Sequence, residues 1–261
     1  MDLVLEVRHI RKNFADARKG KEKRVLDDVS FALEAGECLG LVGRSGCGKS
    51  TMARIAARLL PPDGGQIFLC GKDITCAKGK ELSDAYRKMQ MIFQMPEDSF
   101  DPRKTLGWSI GEPLRNLGWE KARIGERIAF LLAEVGLSPS FGERYPHEAS
   151  GGECQRAAIA RAVALSPRLL ICDEATSALD VAVQAQVVRL LRKLCSKQGI
   201  ACLFITHDLA LLPRIADRVA VMHEGRIVEE GETLRVVGAP KSPCTKELLS
   251  ADFFTMPTSL Y

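Results

Sequence analysis

Between Gly43 and Thr51 the chain reads Gly43-Arg44-Ser45-Gly46-Cys47-Gly48-Lys49-Ser50-Thr51, which fits G-x-x-x-x-G-K-[ST]. Such a segment can cradle phosphate. Glycines let the backbone curl until several N–H groups point at one anion. A helix beginning at Lys49 adds its positive N-terminal end. Lys49 is spaced to reach the β- and γ-phosphates of a nucleotide, and Ser50 to offer a hydroxyl to Mg²⁺. A Gly/Ser-rich turn can match this pattern by chance; the apolar run Cys38–Val42 before it and the helical pattern after it favour the phosphate reading. Cys47 has two readings: a thiol whose pKa is lowered by Lys49 and the loop N–H groups, or a small side chain that fits a tight loop.

A second candidate lies at Leu169-Leu170-Ile171-Cys172-Asp173-Glu174, an apolar strand ending in two acids. Ligands of open α/β sheets bind at the C-terminal edges of the strands. Asp173 is expected to hold Mg²⁺ through water, and Glu174 to accept a proton from an attacking water. Taken alone, the pair reads equally well as two solvated acids at a strand end; beside a phosphate loop the catalytic reading gains weight.

The elements that must position these groups follow from hydrophobic periodicity. Leu3–Val7, Val29–Leu33, Cys38–Val42, Gln66–Leu69 and Met89–Phe93 read as strands, with the basic cluster Arg18–Arg24 as a solvated loop between the first two. A helix is expected from Lys49 to about Leu60, stopped by Pro61-Pro62 and Asp63-Gly64-Gly65. Leu106–Leu117, Ala122–Val135 and Gly151 to about Leu165 carry helical spacing. Strands return at Leu169–Cys172, Ala201–Thr206 and Arg218–Met222, with a helix over Val181–Lys197. This alternation predicts a mostly parallel sheet with helices on its faces.

The chain has 261 residues, 46% hydrophobic and 27% charged, which suits a globular domain. No apolar run approaches the roughly 18 residues of a membrane helix, and the N-terminus has no leader pattern. A cytoplasmic protein, reaching a membrane only through partners, is expected. A net charge of +4 is too mild to suggest nucleic acid. Nine cysteines without Cys-x-x-Cys spacing argue against a disulfide framework or a zinc site.

The motifs, taken in order, resemble the ABC ATPase family over nearly the whole chain. Ser150-Gly151-Gly152-Glu153 matches the family's signature motif, Gln94 its glutamine loop, Ser177-Ala178-Leu179-Asp180 its D-loop and His207 its switch histidine. Phe14 falls where the family places an aromatic that stacks on adenine. By itself, His207 would more often be structural and Phe14 more often core. The resemblance implies an α/β fold: a P-loop NTPase (RecA-like) core over about 1–94 and 166–235. It also implies an antiparallel β subdomain, an inserted helical subdomain over about 95–165 and a tail over 236–261. ATP and Mg²⁺ are the implied cofactors, with Ser50, Gln94 and Asp173 at the metal. Two cassettes are implied to meet head to tail, Ser150 and the Gly151/Gly152 backbone touching the γ-phosphate on the partner, while His207 clamps it within its own chain. Gln94 is implied to relay nucleotide state to membrane subunits.

Glu153 replaces the family's usual glutamine and Cys154 a common basic residue. Negative charge near a bound anion should weaken ATP on that side, so unequal sites are expected. Phe100-Asp101-Pro102-Arg103-Lys104-Thr105 after Gln94, and Tyr145-Pro146-His147-Glu148 before the signature, resemble ATPases of dipeptide, oligopeptide and nickel importers. The phosphate loop together with Ala201–Leu209 looks closest to the second ATPase of nickel importers. Pro243–Leu249 is similar to the group's tail element, but with Cys244 alone no iron–sulfur cluster is expected, and the four histidines form no nickel-binding run. The implied partners are two permease subunits, a second ATPase and, indirectly, an extracytoplasmic solute-binding protein; nucleic acid is not among them. The implied location is peripheral, on the cytoplasmic face of the inner membrane. The region between Lys49 and Ser150 has no sustained heptads, unlike DNA-repair relatives.

Overall fold

Two sheets of different character organise the chain, and the site lies where they meet. The structure, a computed structural model, describes residues 2–16, 21–95, 99–177 and 179–253. In chain order the elements are β1 (Leu3–Asp16), β2 (Lys21–Glu34), β3 (Cys38–Val42), α1 (Lys49–Ala56), β4 (Gly64–Leu69) and β5 (Lys72–Asp73). Then come α2 (Gly79–Lys88), β6 (Met89–Ile92), α3 (Leu106–Asn116), α4 (Lys121–Glu134), α5 (Gly151–Ala162), β7 (Leu169–Asp173) and α6 (Val181–Gln198). The last are β8 (Ala201–Ile205), α7 (Leu212–Ile215), β9 (Arg218–His223), β10 (Arg226–Glu232), α8 (Thr233–Gly238) and α9 (Pro243–Phe253).

The larger sheet has the order β10-β9-β3-β8-β7-β6. Strands β6, β7, β8, β3 and β9 run parallel, and β10 is an antiparallel edge. Every residue of β3, β7 and β8 is buried. A parallel strand covered on both faces needs such an unbroken apolar run. Successive side chains then feed two cores. Cys38, Val42, Leu170, Cys172, Cys202 and Phe204 face the core shared with α3–α6. Leu39, Leu41, Leu169, Ile171, Leu203 and Ile205 face α1 and the smaller sheet. That sheet is antiparallel, in the order β2-β1-β4-β5.

Several expected boundaries are corrected. β1 and β2 are far longer than their apolar cores, because bulges interrupt the alternation: His9 (φ 52°) and Asp28 (φ 67°) are left-handed and the register shifts between Val7 and Ile10. The expected solvated loop shrinks accordingly. Lys21–Arg24 are strand residues opposite Asn13–Asp16, while positions 17–20 lie outside the described residues. Helix α1 stops at Ala56 rather than near Leu60, because Arg58 turns left-handed (φ 56°) and the Leu59 and Leu60 amides both bond back to the Arg54 carbonyl. Helix α5 likewise ends at Ala162, short of Leu165.

Phe204, fully buried in the central strand β8, is the largest of the wholly enclosed side chains. Phe204→Ala is expected to cost about 3–5 kcal/mol in chemical unfolding, read as a lower midpoint with an unchanged denaturant slope.

Candidate phosphate-binding and catalytic site

At Gly43 and Gly48 the phosphate loop passes through spaces too narrow for a side chain. A Cβ on Gly43 (φ 154°) would lie 2.2 Å from the Met222 carbonyl oxygen and 2.8 Å from Cys47 Sγ. One on Gly48 (φ 111°) would lie 2.8 Å from Leu26 Cδ2 and 2.9 Å from the Val25 carbonyl oxygen. The Cys47 amide bonds to the Arg44 carbonyl at 3.2 Å, and the Gly225 amide bonds to the Cys47 carbonyl at 3.1 Å. Gly48 occupies the N-cap of α1 without a side-chain cap, leaving the helix N-terminal amides to whatever the loop encloses. Lys49, 4% exposed, donates to the carbonyls of Gly43 (2.7 Å) and Arg44 (3.2 Å), so its charge sits inside the loop. Burial pushes the Cys47 thiol up, against the opposing pull of Lys49. Burial disfavours the thiolate that an activated nucleophile needs, which favours the space-filling reading of Cys47.

Strand β7 delivers the acids. Ser50 Oγ donates to Asp173 Oδ1 at 2.9 Å. Asp173 is 7% exposed, and burial holds its carboxyl above the ordinary range, with the Ser50 bond opposing and Glu174 reinforcing the shift. Glu174 takes a left-handed backbone (φ 49°), fixed by its amide bond to the Ile205 carbonyl at 3.0 Å. Because Asp173 pairs with Ile205 in register, Glu174 and His207 leave adjacent strands side by side. His207 Nδ1 lies 3.5 Å from Glu174 Oε2.

A cavity of about 480 Å³ gathers Ser50, Gln94 and Asp173, the three residues expected at a metal. Hydroxyl, amide and carboxylate oxygens suit Mg²⁺, which takes few protein ligands and completes its shell with phosphate and water. Among the described residues no three His, Cys, Asp or Glu side chains form a metal cluster of their own. Arg54 and Arg161 line the same cavity, and the sequence reading did not include them in the site. Arg54 stands one helical turn after Ser50; Arg161 interrupts an apolar run and donates to the Ser99 carbonyl (2.6 Å) and hydroxyl (2.7 Å).

Other expected residues stand apart. Ser150, Gly151, Gly152 and Glu153 head α5 and line no part of that cavity. Ser150 caps the helix, and Glu153 Oε2 accepts both the Ser150 amide (2.9 Å) and its hydroxyl (2.8 Å). These bonds lower the Glu153 pKa, the backbone one most. Phe14 lies on β1 opposite Lys23, 41% exposed, with the Lys12 ammonium 5.7 Å from its ring centre. The same hairpin carries Leu26, which abuts Gly48. In the D-loop stretch, Ser177 donates to the Glu174 carbonyl (3.0 Å) and Asp180 caps α6, while Ala178 lies outside the described residues.

A family model described as ABC transporter matches residues 26–177. The oligopeptide transport ATP-binding protein OppF of Haemophilus influenzae is 43% identical over 96% of this chain and 78% of its own length. The glutathione import ATP-binding protein GsiA of Pectobacterium atrosepticum is 48% identical over 90% of this chain, which spans 38% of that relative. Among solved structures, a dimeric ATP-binding cassette, MJ0796, in a post-hydrolysis state bound to ADP and Pi superposes with a TM-score of 0.79. The match has 26% identity and covers 88% of this chain and 98% of that one.

An acid whose native pKa is raised favours the neutral form, so the ligand-free fold gains stability as pH falls through that pKa. Asp173→Asn should therefore raise the ligand-free melting temperature by about 2–4 °C, equivalent to about 1 kcal/mol, while weakening Mg²⁺-dependent nucleotide binding. Differential scanning calorimetry with and without Mg-ATP checks both signs.

Proposed function

Since the chain belongs to the ABC transporter family of ATP-binding proteins, we propose that it is the ATP-hydrolysing motor of an importer whose cargo is peptidic. The cargo reading rests on relatives named for oligopeptide and glutathione transport. The observation that carries the catalytic reading is the convergence of the phosphate loop, the Ser50–Asp173 bond and the Glu174–His207 pair at one strand edge.

The residues divide the work as follows. Backbone amides from Gly43 to Thr51 and the Lys49 ammonium hold the β- and γ-phosphates. Ser50, Asp173 and Gln94 hold Mg²⁺, which neutralises charge on the phosphate oxygens when bound. Glu174 Oε accepts the proton of the attacking water. His207, 3.5 Å away, orients that carboxylate and contacts the γ-phosphate. Phe14 offers an exposed ring to adenine. Ser150, Gly151 and Gly152 serve the nucleotide on a second cassette, which fits their separation from the chain's own phosphate loop.

Partners are inferred from surface chemistry. No helix among the described residues is long and apolar enough to cross a membrane, so transport requires permease subunits. A cavity of about 310 Å³ lined by Leu59, Met91 and Phe93, two of them exposed hydrophobics, offers those subunits an apolar seat. It borders Arg161 and hence the Gln94 cavity. In this reading the helical segment over about 95–165 transmits nucleotide state, and the protein works on the cytoplasmic face of the membrane beside a second ATPase.

Glu153 occupies both Ser150 donors with a carboxylate, where a bound phosphate would need them. Glu153→Gln keeps a capping partner at that position and removes the charge. It should tighten ATP in the assembled pair roughly fivefold, about 1 kcal/mol, measured by nucleotide titration of the complex. Glu174→Gln should cut turnover of the permease-bound complex by roughly 10²–10⁴-fold with ATP binding retained. Unchanged hydrolysis in that variant would remove Glu174 from the role of base.

A further inference from the structure

A further cavity lies outside the nucleotide site. It has a volume of about 630 Å³, within the range that small-molecule sites occupy, and its walls come from the ends of α2, α3, α4 and α5. Three guanidinium groups, those of Arg87, Arg123 and Arg127, line it against a single carboxylate, that of Glu126. Their commitments differ. Arg127 is spent on structure: it donates to the Val163 and Ala164 carbonyls (3.3 Å each) and to Ser166 Oγ (3.1 Å), capping the C-terminus of α5. Arg123 is stacked 4.1 Å above the Trp119 ring, with no hydrogen bond or ion pair to a carboxylate among the described residues. Among the described residues Arg87 reaches only Asp84, at 3.8 Å, with both side chains about half exposed. An aromatic plate thus holds one planar fork open, and a second guanidinium lies on the same wall without a close partner. Two arginines so placed match the oxygens of a phosphate group.

We propose that this cleft binds a phosphate-bearing anion, with Arg123 and Arg87 as its ligands and Trp119 as the platform that orients Arg123. The site is separate from the phosphate loop and shares no residue with the Ser50–Asp173 cavity. Its position also matters. Tyr86 and Ala162 line the apolar groove assigned above to the permease, while their near neighbours Arg87 and Ala164 line this cleft. The two openings are side by side, so a motor docked on its permease would bring the cleft close to lipid headgroups. The phosphate can come from such a headgroup or from a free anion; the headgroup source alone rests on the transporter reading.

Trp119 is a built-in reporter, since the chain has only one other tryptophan, Trp108. The experiment uses the full chain with Trp108→Phe and the phosphate loop saturated with ADP. Trp119 emission is followed during titration with pyrophosphate, and separately with vesicles of phosphatidylethanolamine and phosphatidylglycerol at 3:1. A saturable change with either probe is expected, with affinity lowered more than tenfold in the Arg87→Gln/Arg123→Gln variant and partly restored by Arg123→Lys. A response to vesicles alone identifies the headgroup; a response to both identifies the phosphate group itself. No saturable change with either probe, or an equal response from the double variant, overturns the proposal. ATP hydrolysis, measured separately without ADP on the permease-bound complex, keeps the two readings apart, because its loss would count against the motor assignment and leave the cleft untouched.

Discussion

Everything at the site depends on the backbone passing, at Gly43 and Gly48, where no side chain fits. Its walls come from distant parts of the sequence: Met222 at the end of β9 on one side, Val25 and Leu26 of β2 on the other. The turn after β9 closes the clamp, with Gly225 bonded to the Cys47 carbonyl and Asp27 bonded to the Gly225 carbonyl at 2.9 Å. The parallel and antiparallel sheets are thereby joined at the phosphate loop itself. The exposed ring of Phe14 lies on the same hairpin. The hairpin that presents it is fixed by the same residues that shape the loop, and Lys12 anchors it further through a 2.7 Å bond to Asp63.

The chemistry is bought with strain and desolvation. Asp173 is held buried with the Ser50 hydroxyl as a partner, and Glu174 is held in a left-handed backbone by its amide bond to β8 and by Ser177, which donates to its carbonyl. Neither arrangement helps a protein fold. Arg54, which lines the same cavity, draws the Asp173 pKa down against burial.

How much was legible in the sequence follows from what each residue must satisfy. Strands β3, β7 and β8 stand out because burial on both faces forces continuous apolar runs, and the phosphate loop because few other sequences can adopt its backbone. Asp173, Glu174 and His207 could be placed because a strand end fixes where its next residues go. β1 and β2 were half legible: left-handed residues at His9 and Asp28 break the period that identifies a strand. Helix α2 was missed because only Ala85 of its ten residues is buried, and β10 because its alternation is carried by partly exposed charged residues. Arg161 was visible only as a flaw in an apolar helix; its place beside the metal-binding oxygens depends on how α5 packs against β6, which no local pattern encodes.

The position of Ser150 turns this geometry into a statement about assembly. It heads a helix, spends its amide and hydroxyl on Glu153, and lies away from the cavity that holds Ser50 and Asp173. In the proposed head-to-tail pair, this chain's phosphate loop would face the partner's helix terminus and its own helix terminus the partner's loop; a cassette similar to this chain was solved as a dimer bound to ADP and Pi. Glu153 then sets an asymmetry. Its carboxylate stabilises the free helix end through the capping bonds and opposes the anion that would replace them. If the partner carries an amide at this position, the two composite sites differ in affinity, and the tighter one is the ATP held by this chain's own phosphate loop against the partner's helix.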